Sequence, residues 1–114
     1  MIISIDFDGT LVEHAFPKIG KPIPHAVEVV KELKADGHKL ILWTFRHGRT
    51  LEDAIRYCRQ NGLEFHAYNA NDADEIFEEG MPRLIQADVY IDDRNLGGLH
   101  AWLEVKKMIE KHKL

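Results

Sequence analysis

The chain has 114 residues, which is enough for one domain with a single core and too few for two. Hydrophobic residues make up 45% of it and charged residues 30%, as is ordinary for a soluble globular protein. The formal net charge of -4 excludes a global attraction to nucleic acid or to acidic membranes.

Apolar periodicity divides the chain into alternating strands and helices. The pattern predicts four short strands, at residues 2–6, 38–44, 63–68 and 87–91. It predicts helices that begin near Pro24, at a Thr50 cap and near Leu99, and that end near Gly37, Gly62 and Lys111. A further short helix is expected near residues 73–78. This alternation favours an α/β protein, a three-layer Rossmann-like parallel sheet with helices on both faces.

Polar residues lie at or just after the carboxyl end of every predicted strand. They are Asp6 and Asp8 after the first, Thr44 and Arg46 after the second, Asn69 and Asn71 after the third, and Asp92 and Asp93 after the fourth. Ligands of parallel sheets bind beyond the carboxyl ends of the strands. We therefore expect the functional site at that edge of the sheet.

Residues 6–10, Asp-Phe-Asp-Gly-Thr, are the most informative segment, and they directly follow the apolar first strand. Side chains alternate along an extended chain, so Asp6 and Asp8 point the same way. Like charges that close are unfavourable unless a cation or a shared proton relieves them, which suggests a functional cause. The other interpretations are a plain Asp-Gly turn and a calcium loop, but residues 11–15 lack the further acidic ligands of such a loop.

This segment resembles the first motif of the haloacid dehalogenase-like superfamily. The resemblance implies that Asp6 is a nucleophile that accepts a phosphoryl group, and that Asp8 is the general acid and base. It also implies Mg²⁺ as the cofactor. The expected activity is that of a Mg²⁺-dependent phosphatase that hydrolyses a phosphomonoester through an aspartyl-phosphate intermediate.

Thr44 ends the apolar second strand and is similar to the family's second motif, in which a hydroxyl binds a phosphoryl oxygen. Arg46 lies two residues further on, where its guanidinium could bind phosphate in a bidentate fashion. Arg49 extends a short basic loop. That loop is either a patch for the substrate phosphate or a solvated turn.

The Asp92-Asp93 pair looks like the family's fourth motif. With Asp6, these residues supply the hard oxygen ligands that Mg²⁺ prefers, and the main-chain carbonyl of Asp8 is expected to join them. The sequence leaves open which of Asp92 and Asp93 binds the metal directly.

The family's third motif is a basic residue upstream of the fourth strand. Arg83 is the best match, and Arg46 is the alternative. The resemblance implies that Arg83 would hold the phosphoryl group together with Thr44.

Larger members of the family carry a cap domain, for which this chain has no room. Neither residues 9–23 nor the segment between Thr44 and Asp92 is long enough for one, so residues 1–114 are expected to form a single capless domain. The open site suits a large phosphorylated substrate, of a class that the sequence does not name, or a homo-oligomer that covers it. Residues 13–24, called the flap below, are the natural cover.

Two alternatives compete with the phosphatase. One is a non-catalytic, receiver-like module that binds Mg²⁺ and phosphate, and the other is a phosphotransferase of the same fold. Receiver domains usually lack a second Asp two residues after the acceptor, so Asp8 favours an enzyme.

The expected location is the cytoplasm. The single cysteine, Cys58, rules out an internal disulfide and fits a reducing compartment. No signal peptide and no membrane-spanning apolar run is visible, so no membrane partner is expected.

Overall fold

A computed structural model describes residues 1–70 and 86–111. Within these ranges the chain forms four strands and three helices. They are β1 (Ile2–Ile5), α1 (Ala26–Ala35), β2 (Lys39–Leu42), α2 (Gly48–Gln60), β3 (Ala67–Tyr68), β4 (Val89–Ile91) and α3 (Trp102–Lys111). The predicted α/β class with a parallel sheet in a single domain is confirmed. The finer prediction of helices on both faces stays a prediction.

The strands form one parallel sheet in the order β3-β2-β1-β4. Ile3 of β1 pairs with Leu40 of β2 on one side and with Val89 of β4 on the other. The chain builds outward from β1 through β2 and β3, and then returns to place β4 on the opposite side of β1. Strand order therefore reverses between β1 and β4, which is where open α/β sheets bind ligands.

Burial of apolar side chains explains why these segments are ordered. Along β1, Ile3, Ser4 and Ile5 are all buried, as expected of a central parallel strand. Helix α1 buries a stripe at helical spacing, formed by Ala26, Val29, Val30 and Leu33.

Helix α3 connects the core to the loop that follows β1. Its first residue, Trp102, is almost fully buried, and its indole Nε1 donates a hydrogen bond of 2.9 Å to the carbonyl of Thr10. Further along, Lys106 Nζ lies 2.6 Å from Glu32 Oε2 of α1. Helix α3 therefore supports the loop that carries the two predicted catalytic aspartates.

Several predicted boundaries are wrong by a few residues. Helix α1 begins at Ala26 rather than near Pro24, because His25 adopts a left-handed conformation with φ of 65° just before it. Helix α2 begins at Gly48, so Thr50 lies inside its first turn and donates its hydroxyl to the carbonyl of His47 instead of capping the helix.

The third strand is much shorter than predicted, since only Ala67 and Tyr68 pair with β2. The predicted helix at residues 73–78 lies outside the described residues. Within residues 1–70 and 86–111, none of the helices has the length and apolar character needed to cross a bilayer.

Candidate functional site

Asp6 lies directly after β1, at the switch point of the sheet, which is the place between β1 and β4 where the strand order reverses. Its backbone N–H donates to the carbonyl of Ile91, 3.0 Å away, which ties the end of β1 to the end of β4. Its Oδ1 accepts a hydrogen bond of 2.7 Å from the backbone N–H of Phe7. This arrangement fixes one carboxylate oxygen and leaves Oδ2 for other chemistry.

The surroundings of Asp6 oppose its negative charge. Burial is the largest effect, and the neighbouring carboxylates of Asp93, Asp92 and Asp8 add to it, while the hydrogen bond from Phe7 acts in the opposite sense. Together they raise the pKa of Asp6 to about 6, from an ordinary 3.8. A bound cation at this position would relieve the repulsion.

Asp93 reaches the same place from the loop after β4. A hydrogen bond of 2.7 Å joins its Oδ2 to Nε2 of His14 in the flap. Gly9 allows this contact, because its φ of 80° suits glycine and a Cβ there would collide with both side chains. Asp93 Oδ1 is buried and has no hydrogen-bond partner among the described residues.

These carboxylates fit a Mg²⁺ ion in their chemistry. A buried carboxylate oxygen without a partner is unfavourable, and a hard cation would satisfy Asp93 Oδ1 while it offsets the repulsion at Asp6. Asp92, which lines the pocket beside Asp6, is a further oxygen donor. Within the described ranges, no three His, Cys, Asp or Glu side chains are already gathered in a metal-holding arrangement.

Thr44 follows β2 and is held in place by Asn69. The backbone N–H of Thr44 donates to Asn69 Oδ1 at 2.7 Å, and the amide of Asn69 donates to the carbonyl of Arg46 at 3.2 Å. The Thr44 hydroxyl in turn accepts a hydrogen bond of 3.2 Å from the Arg46 backbone N–H. Asn69, which follows β3, thus fixes the backbone of the loop after β2 through two hydrogen bonds.

A pocket of about 330 Å³ opens beside Asp6 at the carboxyl edge of the sheet. Its lining residues are Ser4, Asp6, Trp43, Thr44, Phe45, Ile91, Asp92 and Arg94. Sequence reasoning missed Arg94, although the same strand-end argument that selected Asp92 would have included the residue two positions later. Arg94 is exposed, its backbone N–H donates to Asp92 Oδ1 at 2.8 Å, and its guanidinium has no partner among the described residues.

Asp8 and Arg46 form a buried ion pair, which corrects the predicted role of Arg46. The guanidinium binds both carboxylate oxygens, with Nε 2.7 Å from Oδ2 and Nη2 2.8 Å from Oδ1, and both side chains are almost completely buried. Its other N–H groups donate to the carbonyls of Pro17, Lys18 and Thr50.

All five N–H donors of Arg46 are therefore in use, and the prediction that it binds a substrate phosphate is wrong for this structure. Both carboxylate oxygens of Asp8 are likewise occupied, since each accepts a hydrogen bond from Arg46. Only the predicted contribution of the Asp8 main-chain carbonyl stays open.

No protein-family model and no curated protein matches this chain. A solved structure of a conserved protein from Bacteroides thetaiotaomicron does match it, with 47% sequence identity and a TM-score of 0.93. The match covers 100% of this chain and 93% of the other. This chain belongs to the same family as that Bacteroides protein. The relation covers the whole fold and carries no activity with it, so the function of this family member is argued from its site.

The structure brings together most of the residues that the sequence singled out. Asp6, Thr44 and Asp92 line one pocket, and Asp93 lies close enough to Asp6 to raise its pKa. Arg49 is exposed in the first turn of α2 and does not line this pocket. Arg83, the predicted basic residue of the third motif, lies outside the described residues.

Proposed function

We propose that this protein is a Mg²⁺-dependent phosphatase of the haloacid dehalogenase-like type, with a three-layer Rossmann-like fold and no cap. It would hydrolyse a phosphomonoester through an aspartyl-phosphate at Asp6. The observation that carries this proposal is the pocket at the switch point of the sheet, where Asp6, Thr44, Asp92 and Arg94 meet. An acceptor carboxylate, phosphate-binding groups and metal-binding oxygens are the parts that phosphoryl transfer requires.

The reaction has two displacements at phosphorus. In the first, Asp6 Oδ2 forms a bond to phosphorus while the bond to the leaving alcohol breaks, and Asp8 gives that alkoxide a proton. In the second, water attacks the aspartyl-phosphate, Asp8 takes the proton from the water, and Asp6 is released as a carboxylate. When bound, Mg²⁺ would supply neutralisation of the phosphoryl oxygens, with Asp6, Asp92 and Asp93 as its protein ligands.

Thr44 and Arg94 are the groups that would hold the phosphoryl oxygens. The Thr44 hydroxyl accepts one hydrogen bond and can donate another, and its backbone is fixed by Asn69. Arg94 brings a guanidinium with no described partner to the pocket, which suits a bidentate contact with phosphate. Arg94 therefore takes the role that sequence reasoning gave to Arg46 or Arg83.

Acid–base catalysis by Asp8 requires its ion pair with Arg46 to open. Two of the contacts that hold Arg46 come from the flap, through the carbonyls of Pro17 and Lys18. A movement of the flap would loosen Arg46 and free Asp8 toward the pocket. Closure and opening of the flap would thus be coupled to the protonation step.

The buried ion pair also favours a second function. With Asp8 bound to Arg46, Asp6 could accept a phosphoryl group that no acid or base then removes. The protein would in that case be a phosphate-binding regulatory module of the receiver type. The two functions differ in the lifetime of the phosphoryl group on Asp6.

Phosphate release from a panel of aryl and alkyl phosphomonoesters, with and without Mg²⁺, tests the proposal. The wild type should turn over, Asp6→Asn should lose more than about a thousandfold, and Asp8→Asn about a hundredfold or more. The matched control is Asp36→Asn, an exposed aspartate at the end of α1, on the opposite edge of the sheet, which should change little. Wild-type turnover no higher than that of Asp6→Asn across the panel rejects the phosphatase. A stable phosphoryl group on Asp6 without release supports the receiver-like function.

A further inference from the structure

Two exposed phenylalanines lie together beside the pocket. Phe45 is 57% exposed and Phe16 48% exposed, with ring centroids 4.9 Å apart and ring planes inclined at 57°. Among the described residues, the other large hydrophobic side chains with comparable exposure are all aliphatic. An exposed aromatic pair at the rim of a polar site is a common feature of ligand recognition, because a ring offers a large contact area with little conformational freedom to lose.

Arg46 supports the aromatic pair from the protein interior. The Arg46 guanidinium carbon lies 5.2 Å from the centroid of the Phe16 ring, and Arg46 is itself fixed by Asp8 and by the carbonyl of Lys18. Phe45 immediately precedes Arg46 in the chain. The buried ion pair therefore supports the Phe16 ring, and Phe16 in turn packs against Phe45, before any ligand binds.

The pocket presents an aromatic wall close to Asp6. Phe45 and Trp43 both line it, and Trp43 packs at a tilt against Tyr90, with centroids 6.0 Å apart. The polar groups on the same surface are the ones that phosphate and metal would occupy. Few polar groups of the pocket therefore remain to bind the hydroxyls of a sugar. A planar ring, in contrast, would cover the exposed face of Phe45.

We propose that Phe45, supported by Phe16, is a stacking subsite for a planar aromatic ring carried by the leaving alcohol of the substrate. This inference rests on the phosphatase function proposed above, and it names the substrate class as phosphomonoesters with an aromatic or heteroaromatic ring. The ring would lie on Phe45 while the phosphoryl group meets Asp6 and Arg94.

The test compares 2-phenylethyl phosphate with 2-cyclohexylethyl phosphate, which have similar leaving alcohols and differ in the planarity of the ring. The variants are Phe45→Leu and Phe16→Leu, and the control is Leu103→Ala, which changes an exposed apolar residue of α3 that does not line the pocket. Phe45→Leu should raise the KM for the phenyl ester about tenfold. It should change the KM for the cyclohexyl ester less than about twofold, and Phe16→Leu should act in the same sense more weakly.

The outcomes separate this inference from the proposed function. Equal effects of Phe45→Leu on both esters, or equal wild-type KM values, overturn the subsite and leave the phosphatase standing. If neither ester turns over above the Asp6→Asn background, the full panel of phosphomonoesters decides on the phosphatase, and binding of 2-phenylethyl phosphate, followed by ligand-detected NMR, decides on the subsite. Binding that Phe45→Leu weakens supports the subsite, and absent or unchanged binding overturns it.

Discussion

The buried ion pair between Asp8 and Arg46 makes the most quantitative prediction. Both side chains are almost completely excluded from solvent, and two N–H donors meet two carboxylate oxygens at 2.7 and 2.8 Å. Removing one partner leaves a buried charge without compensation, which typically lowers the free energy of unfolding by about 3–5 kcal/mol. Native domains have about 5–15 kcal/mol in total, so either change removes a large share of the stability.

We expect the two substitutions to differ and to be strongly non-additive. Arg46→Met also leaves the flap carbonyls of Pro17 and Lys18 without the donor that they have in this structure, so it should cost about 5 kcal/mol, against about 3 kcal/mol for Asp8→Asn. In the double variant neither charge remains, and its cost should fall well below the sum of the two single costs.

Urea denaturation at neutral pH, followed by circular dichroism, measures these differences. Arg56→Met is the matched control, since Arg56 and Asp53 form an exposed ion pair of 3.3 Å that should contribute less than about 1 kcal/mol. Single-variant costs near 1 kcal/mol, or costs that add in the double variant, would show that the pair is not buried and coupled as described.

Three other predictions concern the pocket. The raised pKa of Asp6 means that its ionised form lowers the free energy of unfolding of the metal-free protein. This destabilisation is absent below about pH 4 and complete above about pH 6. Asp6→Asn should therefore stabilise the metal-free protein by about 1–2 kcal/mol at pH 8 and not at pH 3.5, as measured by urea midpoints. Arg94→Ala should raise the KM for a phosphomonoester by about tenfold or more, with Arg94→Lys intermediate; an unchanged KM would remove Arg94 from the site. Gly9→Ala should lower the free energy of unfolding by more than about 1 kcal/mol, because of its φ of 80° and the close approach of His14 and Asp93; an unchanged melting temperature would contradict that contact.

The position of the site could be predicted from the sequence because it depends on periodicity. Strand ends in a parallel sheet meet at one edge, so Asp6, Thr44 and Asp92 converge whatever the details of the helices. The same reasoning applies to Arg94, which lies two residues beyond Asp92 and lines the same pocket.

The partner of Asp8 could not be predicted, since burial is a property of the folded chain. From the sequence, Arg46 is a charged residue in a polar loop, and such residues are usually solvated. Arg46 becomes buried because the flap packs over it. The carbonyls of Pro17 and Lys18 in the flap then accept hydrogen bonds from the guanidinium. The predicted start of α2 is wrong for a related reason, because Thr50 suits a cap while the backbone of the folded chain begins the helix at Gly48.

The most direct test of the central claim is to trap the phosphoryl group on Asp6. The protein is incubated with Mg²⁺ and a phosphomonoester, quenched and reduced with borohydride, which converts an acyl phosphate to an alcohol, and the modified residue is located by mass spectrometry. Reduction at position 6 that requires both Mg²⁺ and the ester, and that is absent from Asp6→Asn, is the predicted result. Release of phosphate with the reduced residue at another position, or with none, would contradict Asp6 as the nucleophile.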